Sequence, residues 1–242
     1  MLKNMPVEIS LRLKMLFEML PAGEKLGDVG TDHGFLPIYS IQNGKFKSAV
    51  ASDLREGPLK IASQNIKSVN LDNRIETLLT PGLYGYNDKN CDVIVIAGMG
   101  GLTVCKIIED WLNDCEKTTY FPGNICFVLQ PNTHEHIVRK FLWDNKFEII
   151  DEQAIKDGNH VYVAYKGNFT LKKQNYSEIQ CYTGKIMPER KSENDIVYLK
   201  ALLNKQKNIL SGLQKRVQLD DETKKRKALC SRLIGGLERI LR

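Results

Sequence analysis

The sequence has no run of about 18 apolar residues, so no ordinary membrane-spanning helix is expected. It has no CxxC pair and no clustering of cysteine with histidine. Its six cysteines, at 91, 105, 115, 126, 181 and 230, follow no regular spacing. That speaks against a zinc site or a disulfide framework and for reduced thiols packed as small hydrophobes. No internal repeat or low-complexity tract occurs. A signal-peptide core is missing too, because Glu8, Arg12, Lys14 and Glu18 break the apolar N-terminus. This segment is expected to form an amphipathic helix retained in the mature protein. GxGxxG is absent as well, which makes a pyrophosphate-binding loop doubtful.

What is present suits one large domain or one domain with an appendage: 242 residues, 42% of them hydrophobic, are enough for a real core. The net charge of +6 is unevenly spread. Residues 168–242 carry 17 Lys/Arg against 8 Asp/Glu, a net +9, whereas residues 1–167 carry 18 against 21, a net −3. A basic rear half is either a solvated helical surface or the footprint for a polyanion such as RNA.

Short apolar runs alternate with helical periodicity. Strands are predicted at 25–29, 48–52, a weaker one at 74–79, then 92–97 and 125–130. Helices are predicted at 36–42, 57–69, 102–112 and 134–144. Residues 147–154 and 160–166 read as a hairpin about Lys156-Asp157-Gly158-Asn159. Such alternation means a parallel sheet with helices on both faces. Residues 168–191 lack periodicity and read as a linker. From Asp195 a heptad-like stripe (Ile196, Leu199, Leu203, Leu210, Leu213, Val217) predicts one helix. Asp220-Asp221 can cap a second, lined by Leu229, Leu233, Leu237 and Ile240, which closes an antiparallel helical hairpin.

Ligands of open α/β sheets sit at the carboxyl ends of the strands. There the chain reads Gly27-Asp28-Val29-Gly30-Thr31-Asp32-His33-Gly34. Glycines allow close approach and positive φ. Acidic residues suit a cofactor that carries sulfonium and ammonium groups and no phosphate. Asp53, at the end of the second strand, is placed to hold ribose hydroxyls, which fits an adenosine cofactor of either kind. A simpler reading remains at each position: a tight turn at Gly27 and Gly30, a helix cap at Asp32, a strand-end turn at Asp53.

Asp28-x-Gly30-x-Asp32-x-Gly34 resembles the acidic-Gly-x-Gly-x-Gly loop of class I S-adenosylmethionine-dependent methyltransferases, with Asp32 replacing the middle glycine. The Asn/Asp-Pro-Pro-aromatic motif of many exocyclic-amine methyltransferases is replaced by Ala97-Gly98-Met99-Gly100-Gly101. Together, GDVGTDHGFLP, the strand ending IAGMGG, and Leu129-Gln130-Pro131-Asn132 resemble the bacterial tRNA (adenine-N1)-methyltransferase family TrmK, whose members modify adenine 22. The resemblance runs from about residue 8 to the C-terminus.

It implies a Rossmann-like class I methyltransferase sheet in residues 1–167. A linker and basic, coiled-coil-like helical hairpin would follow in 168–242. It implies S-adenosylmethionine as cofactor, with Asp28, Gly30, Asp32 and His33 at its methionine end, Asp53 and Leu54 at its ribose and adenine, and Gly82 in the adenine loop. Ala97, Gly98 and Met99 would pass beneath the transferring methyl. Gln130 and Asn132 would face the target base, with Asp32 and, behind them, Asp92 as further groups to steady the cationic product. Pro81 stands where the family usually offers a polar side chain to adenine, so that contact falls to backbone or Thr80. Phe35, Tyr84 and Tyr86 are candidates either to stack on a flipped base or simply to pack. His33 reads as cofactor-shaping and not as a general base, and His134 and His136 as surface residues. The Lys224-Lys225-Arg226-Lys227 run would clamp tRNA. A cytoplasmic monomer or weak homodimer, with no membrane contact, is expected. Three other readings stand beside this one: a nucleotide-dependent oxidoreductase, a non-catalytic RNA-binding adaptor, and a methyltransferase of small molecules.

Overall fold

A computed structural model describes residues 7–118, 125–215 and 220–242. Seven strands form one sheet in the order β3-β2-β1-β4-β5-β7-β6. They are β1 (Gly23–Val29), β2 (Phe46–Asp53), β3 (Ile75–Leu79), β4 (Val93–Gly100), β5 (Cys126–Thr133), β6 (Phe147–Asp157) and β7 (His160–Phe169). The first five run parallel, and β7 inserts antiparallel between β5 and β6. This is the sheet the resemblance implies. Gly158 (φ 60) takes the left-handed position of a tight turn and leaves Asp157 paired with His160.

Side-chain alternation sorts the core into two layers. Ile94, Ile96, Phe127 and Leu129 point to one face, while Val93, Val95 and Val128 point to the other. On the second face lie α1 (Leu11–Met19), α2 (Phe35–Gln42) and α3 (Glu56–Ser68). Ser10 caps α1 by accepting from Leu13 N. On the first face lie α4 (Gly101–Thr118) and α5 (Glu135–Asp144), which contribute Ile108, Trp111, Val138 and Leu142.

Residues 168–191 are not the irregular linker expected. After β7 they form α6 (Glu178–Thr183) and α7 (Met187–Arg190). The cause is a buried ion pair that periodicity does not reveal. Arg139 of α5 is fully buried and donates from Nε to Glu152 Oε1 at 2.7 Å. Its NH1 donates to the carbonyls of Tyr182 (2.8 Å) and Cys181 (3.1 Å). Glu152 Oε2 in turn accepts from Lys185 N and Ile186 N. A Cβ on Gly184 would lie 2.1 Å from that carboxylate oxygen, so only glycine fits there.

The hairpin is α8 (Glu193–Gln214) and α9 (Asp221–Ile240). Ser192 and Asp195 form a capping box at the head of α8, two residues before the predicted start. Asp220 caps α9 through Thr223 N at 2.7 Å. The buried seam of α8 is Asp195, Tyr198, Leu199, Leu202 and Gln206, which shares Leu199 with the predicted stripe but is offset from it at Leu203 and Leu210. The shift arises because α8 also packs on β6 and β7, so the sheet as well as α9 decides which face is covered. Val217 lies outside the described residues. Leu199, Leu202 and Leu237 belong to the same apolar cluster as Phe127 and Trp111, so the hairpin shares its core with the sheet.

Candidate functional site

Two adjoining cavities of about 630 Å³ and 610 Å³ open at the carboxyl ends of β1, β2 and β4. Gly30, Asp53, Arg55 and Met99 line both. The larger is also lined by Asp28, Asp32, His33, Ala97, Gly98 and Asn132. The other holds Leu54, Gly82, Thr80, Pro81 and Trp111. Of the residues expected at the cofactor or the base, all but Gln130, Asp92 and Tyr86 therefore line one cavity or the other.

Gly30 is held at φ 75, and a Cβ there would lie 2.1 Å from Met99 Cε. The bare backbone is thus needed both for the turn and for the side chain that crosses it. The amides of Gly30 and Thr31 both donate to Ser52 O, which locks the loop to β2. Asp28 is buried, and Thr31 Oγ1 donates to its Oδ2 at 2.6 Å. Burial pushes its carboxyl up to about 6; Thr31 and the Arg12 charge oppose this, and Asp53 adds to it. Asp53 is also buried; its Oδ1 accepts from Arg55 N at 2.9 Å, leaving Oδ2 without a partner among the described residues.

Asp32 adopts a left-handed φ of 52, and its exposed carboxylate lies 2.8 Å from His33 Nδ1. It does not cap α2, whose N-cap is Gly34. His33 stacks on Phe35 with centroids 5.3 Å apart, and its carbonyl accepts from Asn65. At the end of β4 the pairing slips between Ala97 and Met99, and Gly98 turns to φ 78. The Gly98 carbonyl thereby accepts from Asn132 Nδ2 at 2.7 Å.

Several expectations need correction. Gln130 is fully buried and cannot face a base. Its Oε1 accepts from Arg12 NH1 at 2.7 Å, and its Nε2 donates to Asn132 Oδ1 and Pro131 O at 3.0 Å. Asp92 sits at the opposite end of the sheet, where Oδ2 accepts from the amides of Glu24 and Lys25. Tyr86 is buried with its hydroxyl 2.8 Å from Ser52 Oγ, so it is packing and not a stacking platform. Tyr84 is exposed and lines the smaller cavity. Thr80 gives its hydroxyl proton to Tyr84 O, so only its oxygen lone pair remains for an adenine amine. His136 is half-buried against Tyr182 and is not a plain surface residue.

Arg12 was not among the expected site residues, yet it lines the larger cavity. It enters the site from α1, with its guanidinium 5.8 Å from the Tyr162 ring centroid and its amide donating to Asp157 Oδ2. Its partner Gln130 is 118 residues away. Helical periodicity marked α1 as amphipathic, but nothing local says which residue reaches the end of β5.

Among the described residues no helix is long and apolar enough to cross a membrane.

A parallel sheet with a reversed seventh strand, a bare acidic loop after β1 and an acidic residue ending β2 define the class. Residues 9–164 match the family described as "Methyltransferase domain", and the chain belongs to it. More particular likenesses follow. The tRNA (adenine(22)-N(1))-methyltransferase of Bacillus subtilis (strain 168) is 27% identical over 231 residues, 94% of each chain. Streptococcus pneumoniae Sp1610, solved in complex with S-adenosyl-L-methionine, is 25% identical with a TM-score of 0.81, covering 97% of this chain and 100% of that one. M. capricolum TrmK, solved with S-adenosyl-homocysteine, is 25% identical with a TM-score of 0.82, covering 97% and 99%.

Proposed function

We propose that this protein transfers the methyl group of S-adenosylmethionine to N1 of adenine 22 in tRNA. The observation that carries the reading is the pair of cavities meeting at Gly30 and Met99, with a buried carboxylate at each part of the site. The residues fit the cofactor. Asp28 Oδ1 has no partner among the described residues and suits the methionine ammonium. Asp53 Oδ2 suits the ribose hydroxyls, and Leu54 and Gly82 border the adenine space. The absence of a Cβ at Gly30 lets the Met99 side chain lie across the loop where the two cavities meet.

Bound S-adenosylmethionine supplies an electrophilic methyl group on sulfur, and adenine N1 attacks it through an in-plane lone pair without prior deprotonation. The S–C bond breaks as the N–C bond forms, and the base becomes cationic. The chain's own work is then alignment and electrostatics. Asn132 presents an amide to the base edge. Gln130 is a positioning residue: fixed by Arg12, it holds Asn132 Oδ1, while Gly98 O takes Asn132 Nδ2. Asp32 is an exposed carboxylate lining the larger cavity, suited to steadying product charge. His33 shapes the loop and has no proton to move in this chemistry.

Residues 1–167 hold the cofactor, and the basic 168–242 segment grips tRNA through phosphates, in the cytoplasm and as a monomer or weak homodimer. The test is methyl transfer from labelled S-adenosylmethionine to unmodified bacterial tRNA, with the product nucleoside identified by mass spectrometry. N1-methyladenosine at position 22 is expected. Cofactor binding without transfer to tRNA would overturn the substrate, and failure to bind the cofactor would overturn the activity.

A further inference from the structure

The β5–α5 turn continues the site toward the hairpin. His134, exposed at the head of α5, sits at φ 58 with Nδ1 3.1 Å from Thr133 Oγ1. Its ring centroid is 6.5 Å from that of His136. His136 lies flat on Tyr182 of α6, with centroids 4.5 Å apart and planes 9° apart. Both rings are half-buried. Lys205 of α8 and Arg226 of α9 are exposed, and both act electrostatically on His136; Arg226 acts on Tyr182 as well. The acidic groups facing these rings are Glu135 and Glu178, and Arg232 holds Glu178 at 2.9 Å. Four helices thus bring a stacked ring pair and two exposed cations, neither in an ion pair among the described residues, into one surface on the turn that follows Asn132.

We infer that His136, backed by Tyr182, is a stacking platform for a nucleotide next to the target adenine, with Lys205 and Arg226 holding the adjoining phosphates. The inference rests on the tRNA reading and deepens it. Drawing one base out of a folded RNA strips its neighbour of a stacking partner. A flat ring pair replaces that partner for any base, because every base has a π-face. The cations supply affinity without sequence information.

The test uses the full chain and an unmodified bacterial tRNA transcript carrying a fluorescent label. Binding is measured across a salt series, with methyl transfer and cofactor binding in parallel. His136→Ala is expected to weaken tRNA binding roughly tenfold, with the salt slope and cofactor affinity unchanged. His136→Phe restores binding. Arg226→Gln, at an exposed position, lowers the salt slope by about 1. If His136→Ala binds as tightly as the unaltered protein and Arg226→Gln keeps its slope, the platform is refuted. If the unaltered protein neither binds nor methylates tRNA, the functional reading falls and the platform with it. Binding and methylation by the unaltered protein, with no difference in the variants, sinks the platform alone.

Discussion

Replacing Asp28 by Asn should make the protein more stable and bind its cofactor less tightly. The Asp28 carboxyl is raised from an ordinary value of 3.8 to about 6, chiefly because burial disfavours its charge. Folding therefore favours the protonated form. That contribution is fully present below pH 3.8 and is lost as pH rises through about 6. At roughly 1.4 kcal/mol per pH unit, the ionised group costs the folded protein up to about 3 kcal/mol at pH 8. Asn keeps the Thr31 contact without the charge. Thermal unfolding of the cofactor-free protein at pH 8 should then occur at higher temperature in Asp28→Asn, and the gap should close by pH 4. The cofactor's ammonium needs that charge. A hydrogen bond to a charged group contributes roughly 1.5–3 kcal/mol, so calorimetry should find binding roughly ten- to a hundredfold weaker. In the unaltered protein, affinity should fall as pH drops through about 6, and in the variant it should not. An Asp28→Asn protein less stable than its parent at pH 8, or one whose cofactor affinity keeps the parent's pH profile, would refute the reasoning.

Gly30→Ala should weaken cofactor binding, because a side chain at φ 75 strains the loop and its Cβ, 2.1 Å from Met99 Cε, displaces Met99 into the cavities; adding Met99→Ala should restore the part due to that displacement in a calorimetric titration. Gln130→Ala should lower kcat well beyond any change in KM for S-adenosylmethionine, because it frees both Arg12 and Asn132 while leaving Asp28 and Asp53 in place. Equal loss in both constants would contradict a positioning role. Arg139→Met should cost about 3–5 kcal/mol in a denaturant titration, since it leaves Glu152 buried and unpaired. Adding Glu152→Leu should recover part of that loss, and no recovery would mean that the contacts of Glu152 to Lys185 N and Ile186 N dominate.

The strand–helix alternation, the glycine-lined loop and the two acidic strand ends were legible in the sequence, because each depends on residues a few positions apart. Period two marks a strand, period 3.6 marks a helix, and a turn that demands positive φ favours glycine. The basic rear half needed only counting. The resemblance to a methyltransferase family rested on the same short motifs, and residues from each of them line the two cavities.

What the tertiary structure alone decided are the contacts between distant residues. Gln130 lies in the carboxyl half of β5, where a base-facing group would be sought, yet it is fully buried and its bonds to Arg12 and Asn132 make it a support for Asn132. Arg12 reaches the site across 118 residues of chain, a separation no periodicity records. The 178–190 segment folds because Arg139 and Glu152, buried beneath it, need partners for their charges, so its order comes from polar satisfaction and not from an apolar stripe. The same holds for the ring pair of His136 and Tyr182, which meet because α5 and α6 share that anchor. Local pattern determines the sheet strands and the long helices. The need to bury apolar faces and pair buried charges determines which side chains meet.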